Sequence, residues 1–322
     1  MRDLLSVRPF VLLTALSVLL TACAEKAPID PGEQPTDDDF SLLSSLYTRL
    51  PDPDDCDAGE LAAAERDTVL NYINEVRAAH GLPAVAYAAE HDAEVTATAL
   101  ITVANNVLTH DPTSDLSCWS AEGKRGAAAS NIGWATRTGT DTEAAFSTRY
   151  MIDLWWNDDG TPSVGHRRWM LNPFLTAIAF GRVDRPMTES EAGVTGTAIW
   201  VINDEQADIR SLGIDHVAYP YEMTPRHRFN SKAELSFSAL VRKDSIWANR
   251  NVDLSSATIR ITDPSGEEID VSDLKRLNDG AGLANALVWK SPVEVGVRYD
   301  VTVSGVEYEG VERGYTYWFE VE

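Results

Sequence analysis

Basic residues are scarce. Of 322 residues, 27 are Lys or Arg and 50 are Asp or Glu, a net charge of −23 with a pI near 4.5. Neutralising nucleic-acid phosphates, or docking onto anionic lipid, takes a clustered basic face. The composition excludes both as the main function. Cysteine is scarce too, and three cannot staple a disulfide-dense mini-scaffold. No segment repeats at a solenoid or propeller period. There is no Gly-x-Ser-x-Gly elbow, no His-Glu-x-x-His pair and no phosphate loop ending in Gly-Lys-Ser/Thr. Asn157-Asp158-Asp159-Gly160 lacks the alternating ligands and closing Glu of an EF-hand. What is present is an ordinary globular mix, 44% apolar and 24% charged, in a chain long enough for about two domains.

Residues 1–22 read as a signal peptide. Arg2 and Arg8 form a basic start, and Phe10 to Leu20 an apolar core too short to span a bilayer. Leu20-Thr21-Ala22-Cys23 resembles the lipobox of bacterial lipoproteins. That resemblance implies cleavage before Cys23 and a diacylglycerol on its thiol; an ordinary signal peptide with an incidental cysteine is the alternative. Ala24, rather than Asp, favours the outer membrane if the envelope is Gram-negative. The implied location is the bacterial cell envelope, extracytoplasmic, with the membrane touched through the lipid anchor only. Residues 23–58 read as a tether. Pro28, Pro31, Pro35, Pro51 and Pro53, with acidic runs at 37–39 and 52–57, favour an extended chain. Within it, Leu42, Leu43, Leu46 and Leu50 share one helical face. With Cys23 taken by lipid, two cysteines remain in a compartment that permits disulfides. A Cys56–Cys118 bridge is expected; two unpaired thiols are the alternative, and the Cα separation decides.

Periodicity predicts helices over about 60–80, 89–108 and 141–156, with Gly81 and Asp111-Pro112 as stops. Residues 111–130 read as a polar loop. Strands follow at 177–183 and 197–203. Beyond Pro220 come short strands at 233–241, 257–262, 286–289, 299–304 and 315–321, punctuated by turns such as Asp263-Pro264-Ser265-Gly266. The class is α+β, with a second region that reads as a small β-sandwich of immunoglobulin-like or fibronectin-type character.

One ordered set of motifs is more specific. Leu70-Asn71, Asn74-Glu75-Val76-Arg77 and Gly81-Leu82-Pro83 are followed by His110, Asn131-Ile132-Gly133, a Trp155-Trp156 helix, and Gly165-His166-Arg167-Arg168-Trp169 before Leu171-Asn172-Pro173. Over about residues 65–205 this resembles the CAP superfamily (cysteine-rich secretory, antigen 5 and pathogenesis-related 1 proteins, also called SCP-like), in its bacterial lipoprotein branch. The resemblance implies a three-layer α-β-α sandwich at 59–220, with the immunoglobulin-like sandwich following at 225–322. It also implies a cleft with two histidines and two acids. His110 and His166 match the histidines. Asp158, three residues after Trp155, matches the second acid. Ser130 stands where a Glu normally precedes Asn131.

The expected cleft residues are His110, Ser130, Asn131, Asp158, His166 and Arg167. Two neutral imidazoles and a carboxylate, His110, His166 and Asp158, are a donor set for zinc or another divalent metal, with a fourth position left for water. Three functions stay open: a non-enzymatic binding module for a small lipid-like or protein ligand, a metal-dependent hydrolase acting on peptide or envelope material, and a structural envelope protein. Ser130 in place of Glu weighs against the hydrolase, because it removes a general base. His80 reads as serving a helix C-terminus through its charge. His91, His216 and His227 carry no spacing signature. One of Arg167 and Arg168 is expected to pair structurally with a carboxylate, and Trp155, Trp156 and Trp169 to pack in the core.

Overall fold

The computed structural model describes residues 36–203, 206–230 and 232–322. The signal peptide and Cys23 lie outside the described residues. The helices are α1 (Leu43–Leu46), α2 (Ala63–Ala79), α3 (Asp92–Asn105), α4 (Ala121–Ala129), α5 (Thr148–Asn157) and α6 (Gly165–Met170).

Four strands make the first sheet, in the order Ala86–Tyr87, Ala177–Arg185, Gly193–Trp200 and Ser130–Arg137. The first pair is parallel and the others antiparallel. Successive side chains leave a strand on opposite faces, and both faces are apolar. Ile178, Phe180 and Ile199 pack in one cluster with Val69 and Ile73 of α2 and Trp155 of α5. Ala179 and Ala198 pack with Val95, and Val183 and Val194 with Ala99 and Val103, all on α3. The result is the α-β-α sandwich the resemblance implied. Its layers touch closely: a Cβ at Gly181 would lie 2.3 Å from the Val95 backbone.

Local signals explain most helix limits. Gly81, in the left-handed region (φ 64°), follows α2 as expected. Asn106 ends α3 with φ 54°, short of the expected 108. The third expected helix starts late, where the Ser147 side chain accepts the Tyr150 N–H. Residues 144–146 ahead of it pair instead with strand Phe40–Leu42. The polar loop expected at 111–130 contains α4. Its glycines look like breakers in the sequence, but they serve close packing: a Cβ at Gly126 would lie 2.3 Å from the Glu94 carbonyl of α3.

The tether expectation is corrected from residue 36 onward. That stretch is folded onto the body. Leu43, Leu46 and Tyr47 are buried, and the Tyr47 hydroxyl donates to Asp184 (2.6 Å). Asp54 pairs with Arg185. Cys56 and Cys118 form the expected disulfide, with Cα atoms 5.2 Å apart. The leucine-rich patch outweighs the prolines and acids, although only Leu43–Leu46 is α-helical.

The second region has two facing sheets. One runs Glu222–Thr224, Val311–Val321, Arg298–Tyr308, Thr258–Thr262 and Glu268–Ile269; the other Ser272–Leu277, Ala286–Lys290, Leu235–Ala239 and His216–Tyr219. Phe237 of one meets Tyr315 of the other with ring centroids 5.1 Å apart. The sandwich begins before the expected boundary at 220–225, because His216–Tyr219 pairs with Leu235–Ala239. One apolar cluster runs through both regions; Trp156 of α5 stacks on Tyr219.

Candidate functional site

The two histidines arrive on different elements. His110 follows α3 in the chain, and its Nδ1–H donates to the Ala127 carbonyl of α4 (2.7 Å). His166 lies in α6. Its Nδ1–H donates to Asp158 Oδ1 (2.7 Å), while Asp158 Oδ2 accepts the Arg167 backbone N–H (3.2 Å). Asp158 is the residue that ends α5, with φ 51°, a conformation that Asp tolerates. Val164, the residue before α6, also has a positive φ, 45°. A β-branched residue held there costs about 1–3 kcal/mol. It is buried against Ala286 and Val288 of the sandwich.

His110 and His166 line one small solvent-open cleft with a cavity volume of about 40 Å³. Ser130, Asn131 and Trp169 line it as well. The Asn131 side chain donates to the His166 carbonyl (2.9 Å). Ser130 is only 5% exposed, and its hydroxyl has no hydrogen-bond partner within the protein. Burial lowers the His110 pKa below the ordinary imidazole value; the Ala127 carbonyl opposes this and the neighbouring His166 adds to it. His110 is thus held neutral. Because carbonyl and carboxylate oxygens can only accept, each Nδ1 carries a proton, and the neutral His110 ring is left with a lone pair at Nε2.

Two expected residues behave differently. Asp158 does not line the cleft. It is almost fully buried, with one oxygen on His166 and the other on the Arg167 N–H, so it orients the imidazole. Among the described residues, no group of three or more His, Cys, Asp or Glu is placed to share a metal ion. Asp158 faces His166 and the Arg167 backbone, so it does not enter the cleft beside the two imidazoles. Arg167 points away from the cleft. Its guanidinium donates to the Trp156 and Glu234 carbonyls and lies over the Tyr219 ring, 4.5 Å from its centroid. Arg168 makes the structural ion pair, with Asp279 of the sandwich (2.7 Å).

The α2 motif is also structural here: Asn74 exchanges hydrogen bonds with the Val85 backbone, and Arg77 donates to the Pro83, Met170 and Asn172 carbonyls. Residues 70–202 match the model of the CAP, or cysteine-rich secretory protein, family. This segment is a CAP domain. No curated protein matches the chain.

Within the CAP domain the match takes in His110, Ser130, Asn131, Asp158 and His166. Trp169, Val201 and Ile202 also line the cleft, as does Thr161. In the sequence Trp169 signals only core, and Val201 only strand. Ala281 lines it too, from outside the CAP domain, in the sandwich. No sequence signal marks Ala281, because its role depends on the packing of the two regions. The other histidines have packing roles. His80 is corrected: burial lowers its pKa to about 4, so it is neutral, and it bonds the Val76 carbonyl (2.8 Å) without supplying charge to the helix end. His91 stacks on Trp200, with centroids 3.8 Å apart.

Proposed function

We propose that the cleft around His110 and His166 is a non-enzymatic binding site, carried by an extracytoplasmic envelope protein held to the membrane by lipid at Cys23. One observation carries the reading: both imidazoles line the same cleft with Nδ1 committed to a fixed acceptor. The cleft then offers the His110 lone pair, with the unpartnered Ser130 hydroxyl set in its wall, between apolar walls such as Val201 and Ile202. Its complement is a ligand with a hydrogen-bond donor, a hydroxyl or a primary ammonium, on a compact apolar body. A small lipid-like headgroup and a protein side chain both meet that description. The protein's net charge of −23 favours an ammonium over a carboxylate. The hydrolase reading has two imidazoles but no third metal ligand placed with them among the described residues, and no carboxylate in the cleft lining to act as base.

The test is a titration of the full chain with n-butylammonium, n-butanol and butyrate, followed through the histidine ring nitrogens by NMR. The first two are expected to shift His110 and His166, and His166→Ala to abolish the response. A response to butyrate alone, or none to any of the three, would overturn the binding reading and favour a structural envelope protein. Mass spectrometry of the mature N-terminus tests the anchor: a diacylglyceryl Cys23 is expected, and an unmodified N-terminus would refute it.

A further inference from the structure

The sandwich reaches into the CAP cleft through one tight loop, 279–283, and the contacts there are built rather than incidental. The buried Arg168 of α6 grips the loop, with its two terminal nitrogens on the two oxygens of Asp279 (3.1 and 2.7 Å) and one of them also on the Leu283 carbonyl. Asp279 Oδ1 accepts the Ala281 N–H (3.0 Å), which folds the loop over. Gly282 has φ 70°, and a Cβ there would lie 2.4 Å from the Arg168 backbone, so the loop backbone lies directly on α6. The apex residue is Ala281. A Cβ added at Gly165, the residue before His166, would sit 3.9 Å from the Ala281 Cβ. Val164, just upstream, is held in its strained conformation among Ala286 and Val288 of the same sandwich. Wall and histidine are thus both set by the sandwich.

We propose that Ala281 is a specificity-determining residue: as the wall of the His110/His166 cleft supplied by the sandwich, it limits the group that can reach the imidazoles to a compact one. The cleft is then incomplete without the sandwich. The small residue is what keeps it open, since Gly165 and Ala281 face each other with only a methyl group between them. A longer side chain at 281 fills the space in front of His166. Lifting the loop off α6 removes the wall and admits larger groups.

The proposal rests on the cleft being an open binding site, and the experiment separates the two. Diethyl pyrocarbonate acylates the lone-pair nitrogen of a neutral imidazole, so its rate at each of the six histidines, read by peptide mass mapping on the full chain, reports access. N-acetylhistidine added to each reaction is the internal reference. Ala281→Leu is expected to slow modification of His166 by about tenfold, the scale on which a pocket discriminates by a methylene or more, with the N-acetylhistidine rate unchanged. Gly282→Ala, which cannot keep the loop seated on Arg168, is expected to act in the opposite direction and speed it. Reactive His110 and His166 whose rates neither variant alters would overturn the role of Ala281 and leave the binding reading standing. Rates at both residues no higher than at the buried His80 would overturn both. If Ala281→Leu does not fold, Gly282→Ala decides alone: faster modification supports the wall, and an unchanged rate overturns it.

Discussion

The two regions of the chain bury different things. The α-β-α region hides charge: Arg77, Arg167, Arg168, Arg182, Asp153, Asp158 and Asp184 are all buried. In the sandwich the buried polar residues are neutral, such as Ser236, Ser238, Asn249 and Asn285, and Arg228 is the one buried charge beyond residue 216 among the described residues. Asn285 shows how a neutral group is satisfied, since it exchanges bonds with the Ala239 backbone and donates to the Asn249 carbonyl. Arg182 shows what a buried charge requires. It holds both oxygens of Asp184 (2.6 and 2.9 Å) and bonds the Thr148 hydroxyl, while Asp184 also accepts from Tyr47 and Thr195. Ionic burial demands geometry, because an unsatisfied charge in the interior is so costly. It fixes the CAP elements to one another at defined positions, and His166 inherits that order through Asp158. The sandwich needs only shape.

The sharpest way to break this contrast is to remove one partner of the deepest pair. Arg182→Met leaves Asp184 buried without its cation. It should cost about 3–5 kcal/mol in urea-induced unfolding, with the double change Arg182→Met/Asp184→Leu recovering much of it. A single-variant loss below about 1 kcal/mol, the scale of an exposed pair, would mean that the charges do not organise the CAP domain.

A second effect comes from protons. His80, packed against Tyr219 and Tyr221, has its pKa lowered to about 4 by burial. The unfolded chain binds that proton near pH 6.5, the folded chain only near 4, so its contribution is lost as pH falls between them, about 3 kcal/mol in all. Asp153 runs the other way. Burial raises its pKa to about 7, despite the Tyr72 hydrogen bond and the charges of Arg149 and Arg228. Folding therefore favours its protonated form, and that contribution is lost as pH rises from about 4 towards 7. Unfolding of His80→Gln and Asp153→Asn against wild type, measured from pH 4 to 8, should show the two opposed slopes. Identical slopes in all three proteins would show that neither group couples folding to pH.

The smallest effect belongs to the sandwich. Phe237→Leu keeps most of the apolar contact with Tyr315 and Tyr317 and should cost about 1 kcal/mol. The loss should be the same across that pH range, because His216, which stacks on Phe237, keeps its Asp215 partner. A pH-dependent loss there would blur the comparison.

Much of this was legible in the sequence, for a reason that follows the same divide. Helices α2, α3 and α5 announce themselves by apolar spacing and stop residues, and the sandwich strands by alternation and turns. His110, His166 and Asp158 were legible because they sit in motifs with fixed order. What could not be read is what depends on through-space partners. Nothing local distinguishes Gly126, which permits helix contact, from a loop glycine. Nothing in Asp158 itself says that it faces His166 rather than the cleft, or in Arg167 that it turns towards Glu234. Ala281 has no chemical signature at all. Residues 36–58 mislead because their composition is that of a tether, while a few apolar side chains suffice to seat them.

That seated segment also gives the molecule a load path. Strand Phe40–Leu42 is held by hydrogen bonds to Ala144–Phe146, which a steady pull can break in succession. Behind it stands the Cys56–Cys118 bond, which no pull opens without chemistry. Tension entering from the N-terminal side is therefore handed across a covalent link to the stretch between α3 and α4, and that stretch carries His110.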